Sequence, residues 1–346
     1  MPTRLIQILR HGNTTTYRLR ETSQNAIEHY AALSYSWGGD QTFKTTAKTI
    51  SQYKGKIVAG KLPQSLQDAL IVTERLGLKY IWIDSLCIIQ DDDSDKSNEI
   101  GQMGRVYGCA AVTIAASRAR TAWDGFLSER SALGSNLPDL NTEPLGLRGW
   151  TFQERVLSNR VLDFSSLRTH SLALHNAYGS FGINPDVISK LVTGQFTPPA
   201  MLQSWMRIAE GFSARALSFT ADKHPAIAGM AESFGRCLRH QEYFAGLWES
   251  AMPPCLLWAN ADINYENLQP RPPRDQVCAP TWSWAAIGGR IKYDRLYTDA
   301  YDDVHFEVQV QDCQVSLVDD KSPYGAVKSG KLRQDIPQAE ICCMSQ

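Results

Sequence analysis

The sequence predicts an α/β protein, with a mainly parallel sheet flanked by helices and a mixed helical and β region packed on it. Three observations carry this. Short apolar runs at Tyr30–Tyr35, Tyr80–Ile83 and Ala111–Ala116 read as buried strands. Helical patterns fill the intervals between them, and that alternation points to βαβ units. The chain has 346 residues, 43% of them hydrophobic, enough for about two domains or one large one without disulfide or metal staples.

The first apolar run ends at Trp37-Gly38-Gly39. Leu62-Pro63 opens a helix with proline in its first turn, Leu66, Ala69, Leu70 and Leu76 lie near one face, and Gly77 stops it. Asp91 to Ser97 is a polar turn capping one helix that carries Ile100, Met103 and Tyr107. Residues 117–147 read as loop, followed by a helix near Trp150 and a strand over Arg160–Phe164. A loop-rich stretch over 176–200 leads into helical, aromatic sequence to about 250. Further β-like runs fall at 281–287, 304–310 and 313–318, and the polar tail after Gly330 is expected to be loose. The alternation in Trp282-Ser283-Trp284 would put two indoles on one strand face. The domain boundary falls near 165, giving 1–165 and 166–346.

A formal net charge of −1 argues against a protein built to coat nucleic acid or an anionic membrane. No window approaches the length of an apolar membrane span, and Met1–Arg10 has no leader-like apolar core. The eight cysteines include no C-x-x-C pair, and no H-E-x-x-H occurs. The expectation is therefore no metal, no required cofactor, buried free thiols such as Cys87, and a reducing, cytoplasmic location. Asp91-Asp92-Asp93 reads as a helix-capping loop, because no other oxygen ligands are spaced around it.

Three blocks occur in order: Tyr30-x-x-Leu33-Ser34-Tyr35-x-Trp37-Gly38, Trp82-Ile83-Asp84-Ser85-Leu86-Cys87-Ile88-x-Gln90, and Arg148-Gly149-Trp150-Thr151-Phe152-Gln153-Glu154-Arg155-x-Leu157-Ser158. Together they resemble the signature blocks of the fungal heterokaryon-incompatibility (HET) domain. Downstream blocks, Leu217-Ser218 to Lys223, Tyr243-x-x-Gly246-Leu247-Trp248 and Ala279-Pro280-x-Trp282-Ser283-Trp284, resemble the region that commonly follows it. The chain departs from the pattern where a Trp-Glu-Cys element often occurs and here reads Ser171-Leu172-Ala173-Leu174-His175-Asn176. It also ends sooner than many relatives.

HET domains are distantly similar to TIR domains, of flavodoxin-like fold, some of which cleave NAD with a glutamate four residues after a tryptophan. Trp150-x-x-x-Glu154 has that spacing. The resemblance therefore implies Glu154 as a catalytic carboxylate, NAD as a candidate substrate, and a role in nonself recognition and regulated cell death. Chemically, one carboxylate near the ribose can stabilise the oxocarbenium charge that develops as nicotinamide leaves, with no metal. The plainer alternative is a first-turn glutamate stabilised by the helix dipole or paired with Arg148 or Arg155.

Tyr35, Trp37, Gly38, Asp84, Arg148 and Trp150 are the expected substrate-binding residues around Glu154. Trp37 offers a stacking face and Gly38 a close backbone approach at a strand end, where open α/β sheets bind ligands. Asp84 is a polar contact at the next strand end, or a cap for its own turn. The expected partner is a small molecule or nucleotide, with self-association left open. Two alternatives stand beside NAD cleavage: a stand-alone enzyme of fungal secondary metabolism acting on a small molecule, and a non-catalytic self-association module.

Overall fold

A computed structural model describes residues 1–23, 28–129, 143–166, 169–173, 198–238, 241–261, 279–293 and 309–335. Its centre is a seven-stranded sheet of order β2-β1-β4-β3-β5-β6-β7. The strands are β1 (Arg4–His11), β2 (Thr14–Glu21), β3 (Ala31–Ser34), β4 (Tyr80–Trp82), β5 (Val112–Ala115), β6 (Arg160–Phe164) and β7 (Thr169–Ala173). The inner four, β4-β3-β5-β6, run parallel. Antiparallel partners close both sides: the β1–β2 hairpin on β4, and β7 on β6. Because β7 adds to this sheet, the sheet extends past residue 165.

Numbered along the chain, the four parallel strands have the spatial order 2-1-3-4. From β3 the chain crosses to one side to form β4, then to the other to form β5. This is the doubly wound arrangement, in which ligands bind outside the carboxyl ends of the strands beside the reversal. The strands are almost wholly buried, as expected of a parallel sheet.

Helices fill the connections: α1 (Ile50–Gly55), α2 (Gln64–Arg75), α3 (Asp84–Cys87), α4 (Asp93–Gly101), α5 (Met103–Cys109) and α6 (Trp150–Val156). In α2, Leu66, Ala69 and Leu70 are buried, and Gly77 ends the turn after it with a φ of +75°. Leu76, expected on the buried face, is instead exposed where the helix has already stopped. The single helix expected beyond Asp91 is two. Asp92 caps α4 by accepting from the Ser94 and Asp95 amides, and the helix breaks at Gln102 before α5 begins. That break lets Met103, Val106 and Tyr107 face the core.

The N-terminal hairpin has no counterpart among the sequence expectations. Its apolar residues Leu5, Ile6 and Ile8 are interleaved with Arg4, Gln7 and Arg10, which conceals the run. Arg4 is buried and paired: its Nε donates to the Cys87 carbonyl at 2.6 Å, and its guanidinium meets Asp95.

The second half contributes α7 (Pro198–Ser213), α8 (Ala228–Cys237), a short α9 (Met252–Cys255) and three small hairpins: β8 (Tyr243–Phe244) with β9 (Leu247–Trp248), β10 (Trp258–Asn260) with β11 (Ile291–Tyr293), and β12 (Gln309–Leu317) with β13 (Val327–Asp335). Its core is built of rings: Trp205, Trp248, Trp284, Phe212 and Phe234 are all buried and meet at centroid distances of 5.3–6.0 Å. The Gly246 carbonyl accepts from both the Trp205 and Trp284 indoles, at 2.8 and 3.0 Å.

Two expectations fail here. Trp282-Ser283-Trp284 is not a strand; the Ser283 side chain accepts from the Ala285 amide and winds a 3-10 turn, burying Trp284 while Trp282 stays part-exposed. The tail is ordered as far as Asp335, because β13 pairs with β12. The expected β-like run at 304–310 and the loop at 176–200 lie mostly outside the described residues, as do the side chains of His170 and His175.

The halves are joined through α6. Phe152 and Val156 belong to the ring-rich core, while Trp150 packs against both cores. The Leu147 carbonyl accepts from the Ala216 amide at 2.8 Å, and the Ala216 carbonyl accepts from the Gly149 amide at 2.7 Å. At the α5–α8 contact, Gly104 and Gly229 face each other, and a Cβ on Gly104 would lie 2.8 Å from the Gly229 Cα.

Candidate functional site

The site is assembled from three chain segments that each leave a strand or enter a helix beside the sheet's reversal. Ser34 is the last residue of β3, Asp84 follows β4 by two positions and opens α3, and Glu154 sits in α6, on the connection from β5 to β6.

Glu154 is buried, with 7% of its surface exposed. Ser34 Oγ donates to its Oε2 at 2.5 Å. Burial pushes the Glu154 carboxyl up to about 7. The Ser34 hydrogen bond opposes that shift, Asp84 adds to it, and Arg148 and Tyr107 oppose it. Tyr107 itself donates to the Leu33 carbonyl at 3.0 Å and packs edge-on to Trp82. Arg155 does not pair with Glu154: it is committed to buried Asp163 and to Ser117.

Asp84 performs two tasks through its two oxygens. Oδ1 accepts from the Ser85 amide at 2.6 Å, in the first turn of α3, and Oδ2 accepts from the Trp37 indole at 2.8 Å. Burial raises the Asp84 carboxyl, against the hydrogen bonds from Trp37, Ser85 and Tyr35 and the charge of Arg148. Tyr35 is buried, donates to Ser85 Oγ at 2.9 Å, and is pushed well above its ordinary range by burial and then by Asp84. Trp37 is part-exposed, tethered through its indole to Asp84 and packed against the sheet core.

Gly38 has φ +73°, and a Cβ there would lie 2.4 Å from Thr121 Cβ, so only glycine fits this turn. Arg148 is held in place by the Ala216 pairing on either side of it, and its charge acts on Tyr35, Asp84 and Glu154.

Tyr35, Trp37, Gly38, Asp84, Arg148 and Glu154 thus lie in one neighbourhood at the carboxyl ends of β3 and β4. Trp150 is the exception: its indole donates to Asp222 at 3.1 Å, toward the second half. Sequence reasoning missed Ser34 and Tyr107 as partners of the carboxylate. Ser34 lay within the first block, and its place at the strand end was the available signal. Cys87 is buried and its thiol is pushed up to about 12 by burial, which makes it inert. Among the described residues no group of His, Cys, Asp or Glu could hold a metal ion, and no helix is long and apolar enough to cross a membrane.

Chemically, the arrangement is two carboxyl groups of raised pKa, one cation and one tethered indole at the carboxyl ends of β3 and β4. It can bind a polar ring system, stack a flat group on Trp37, and present a carboxylate or a carboxylic acid to it.

Residues 30–139 match the family described as heterokaryon incompatibility protein (HET). The match runs from the residue before β3 to beyond β5 and contains Tyr35, Trp37, Gly38 and Asp84; Arg148, Trp150 and Glu154 lie past its end. No curated protein and no solved structure matches the chain.

Proposed function

We propose that this is a heterokaryon-incompatibility-type protein acting in fungal nonself recognition and regulated cell death, and that its site hydrolyses the nicotinamide–ribose bond of NAD. The match to the HET family supports the first part. The second rests above all on the buried Glu154 carboxyl, oriented by Ser34 beside the reversal point of the sheet. In this reading Trp37 stacks on a flat ring of the substrate, and Arg148 meets its phosphates. Glu154, ionised, faces the ribose. The C1′–N bond breaks, the electron pair leaves with neutral nicotinamide, and the carboxylate stabilises the oxocarbenium charge. Water then adds to C1′ and its proton passes to Glu154 or solvent, leaving ADP-ribose.

The test is nicotinamide release from NAD by the full chain and by Glu154→Gln, with melting temperature followed in both. The amide keeps the shape and loses the charge, so turnover is expected to fall ~10²–10³-fold with little change in substrate affinity. Turnover unchanged in Glu154→Gln would remove this residue from the mechanism.

A second reading is favoured by the elevation of Glu154 and Asp84 together, since a carboxyl at about 7 is also suited to general-acid work on another small molecule, as in a biosynthetic enzyme. The pH profile separates the two. Charge stabilisation requires the ionised form, so kcat rises with pH through about 7. General-acid catalysis requires the protonated form, so kcat falls across the same range. A wild-type protein with no turnover of NAD at high concentration moves the assignment to this second chemistry.

A further inference from the structure

A cavity of about 400 Å³ lies where α4, α5 and α8 meet the β12–β13 turn and the first residue of α6. It has the volume of a small-molecule site. None of Ser34, Asp84 or Glu154 lines it. Its walls include Ile100 and Pro323 and the two aromatic rings of Trp150 and Tyr324. The β12–β13 turn that closes it is anchored at both ends of the cavity. Ser97 Oγ donates to Asp319 at 3.3 Å on the α4 side, and Tyr324 packs edge-on against Tyr243 at 5.3 Å on the other.

Three part-buried acids line this cavity: Glu232, which pairs with Arg236, Asp319, which accepts from Ser97, and Asp222. Asp222 Oδ2 accepts from the Trp150 indole. Burial raises its carboxyl and that hydrogen bond opposes the rise. Among the described residues no Lys, Arg or His forms an ion pair with it. Arg105 and Lys321 also line the cavity, but both are exposed, and Glu232 and Asp319 on the same walls offset them. Exposed charges are screened by water and salt, whereas a half-buried carboxylate is screened less. The three acids outnumber these two cations, and Asp222, which has no ion-pair partner among the described residues, leaves the cavity favouring positive charge. A cavity lined by a carboxylate, an indole and a phenol attracts a cation with an apolar body, because both the charge and the ring faces favour it.

We infer that this cavity is a second ligand site, separate from Glu154, that binds an organic ammonium compound with Asp222 as counter-ion and Trp150 and Tyr324 as walls. An anion would meet the Asp222 charge unfavourably, and a neutral molecule of the same shape would gain apolar contact alone. Trp150 and Glu154 stand one turn apart on α6, so an occupant held by Trp150 bears on the helix that carries the catalytic candidate.

Calorimetric titration of the full chain with phenethylammonium, and with neutral 2-phenylethanol as its isostere, tests this. Saturable binding of the cation is expected at or below ~1 mM, about tenfold tighter than the alcohol. Asp222→Asn keeps an acceptor for the Trp150 indole and removes the charge, so it should abolish that preference, while Glu154→Gln should retain it. Equal affinity for cation and alcohol, no binding of the cation, or an unchanged preference in folded Asp222→Asn would each overturn the assignment. The comparison of the two probes on the unaltered chain decides the matter even if Asp222→Asn fails to fold.

Discussion

The two halves of the molecule bury their polar groups to different ends. In the sheet region, polar side chains pair across long sequence distances, Ser34 with Glu154, Trp37 with Asp84 and Arg4 with Asp95, and Arg155 pairs locally with Asp163. Gln41, Trp82 and Glu99 are among the exceptions. In the ring-rich region, the Tyr243 and Tyr293 hydroxyls, the Trp248 indole N–H and both His224 nitrogens are buried without a partner. The sheet region is organised by a backbone ladder, which leaves its strand ends free to hold ionisable groups in fixed geometry. The other region is organised by the bulk and edges of aromatic rings, two of which, Trp205 and Trp284, share the Gly246 carbonyl. The Glu154 site therefore belongs to the first, and the second serves as the wall that fixes α6 and Arg148.

Removing a ring breaks the comparison most sharply. Trp284→Ala is expected to cost ~3–5 kcal/mol in denaturant unfolding, while Ile81→Val in the ladder costs only ~0.5–1.5 kcal/mol. Equal costs would mean that both regions are packed on the same principle.

Next come two opposite pH signatures. Glu154 is raised from 4.5 to about 7, so the folded state binds the extra proton; its stabilising contribution is complete below pH ~4.5 and is lost as pH rises through about 7. Buried His224 is lowered by burial, and then by Lys223, from 6.5 to about 4. Here the unfolded state binds the extra proton, so stability is complete above pH ~6.5 and is lost as pH falls through about 4. Each is worth about 3 kcal/mol at most. Melting temperature against pH should flatten on the alkaline side in Glu154→Gln and on the acid side in His224→Leu. If the two variants shift the same limb, the assignment of these groups to separate regions fails.

A smaller effect is expected at the junction. Gly104→Ala places a methyl against the Gly229 backbone, which cannot rotate away, and should destabilise by ~1–3 kcal/mol. An unchanged melting temperature would show that α5 and α8 are free to separate there. The smallest effect is at Tyr293→Phe. Its hydroxyl is buried without a partner, so removal should be neutral or stabilising by less than ~1 kcal/mol in the same unfolding assay.

By itself the sequence determined the parallel strands, the α2 face and the glycine turn after Trp37, because periodicity, capping residues and glycine positions act within a few residues of one another. The set Tyr35, Asp84, Arg148 and Glu154 came from the resemblance of the three blocks to a known family. The β1–β2 hairpin was not legible, since alternating arginine and glutamine mask an apolar run that is buried only once β4 lies beside it. The 3-10 turn at Trp284 was not legible either, because a short Ser283 hydrogen bond overrides strand alternation. Which atom each site residue touches was a tertiary decision. Arg155 goes to Asp163 and leaves Glu154 to Ser34, and the Trp150 indole turns to Asp222, away from the carboxylate one turn further on. Burial does the rest: the same glutamate in water would ionise near 4.5, and only exclusion of solvent by two packed regions carries it to about 7.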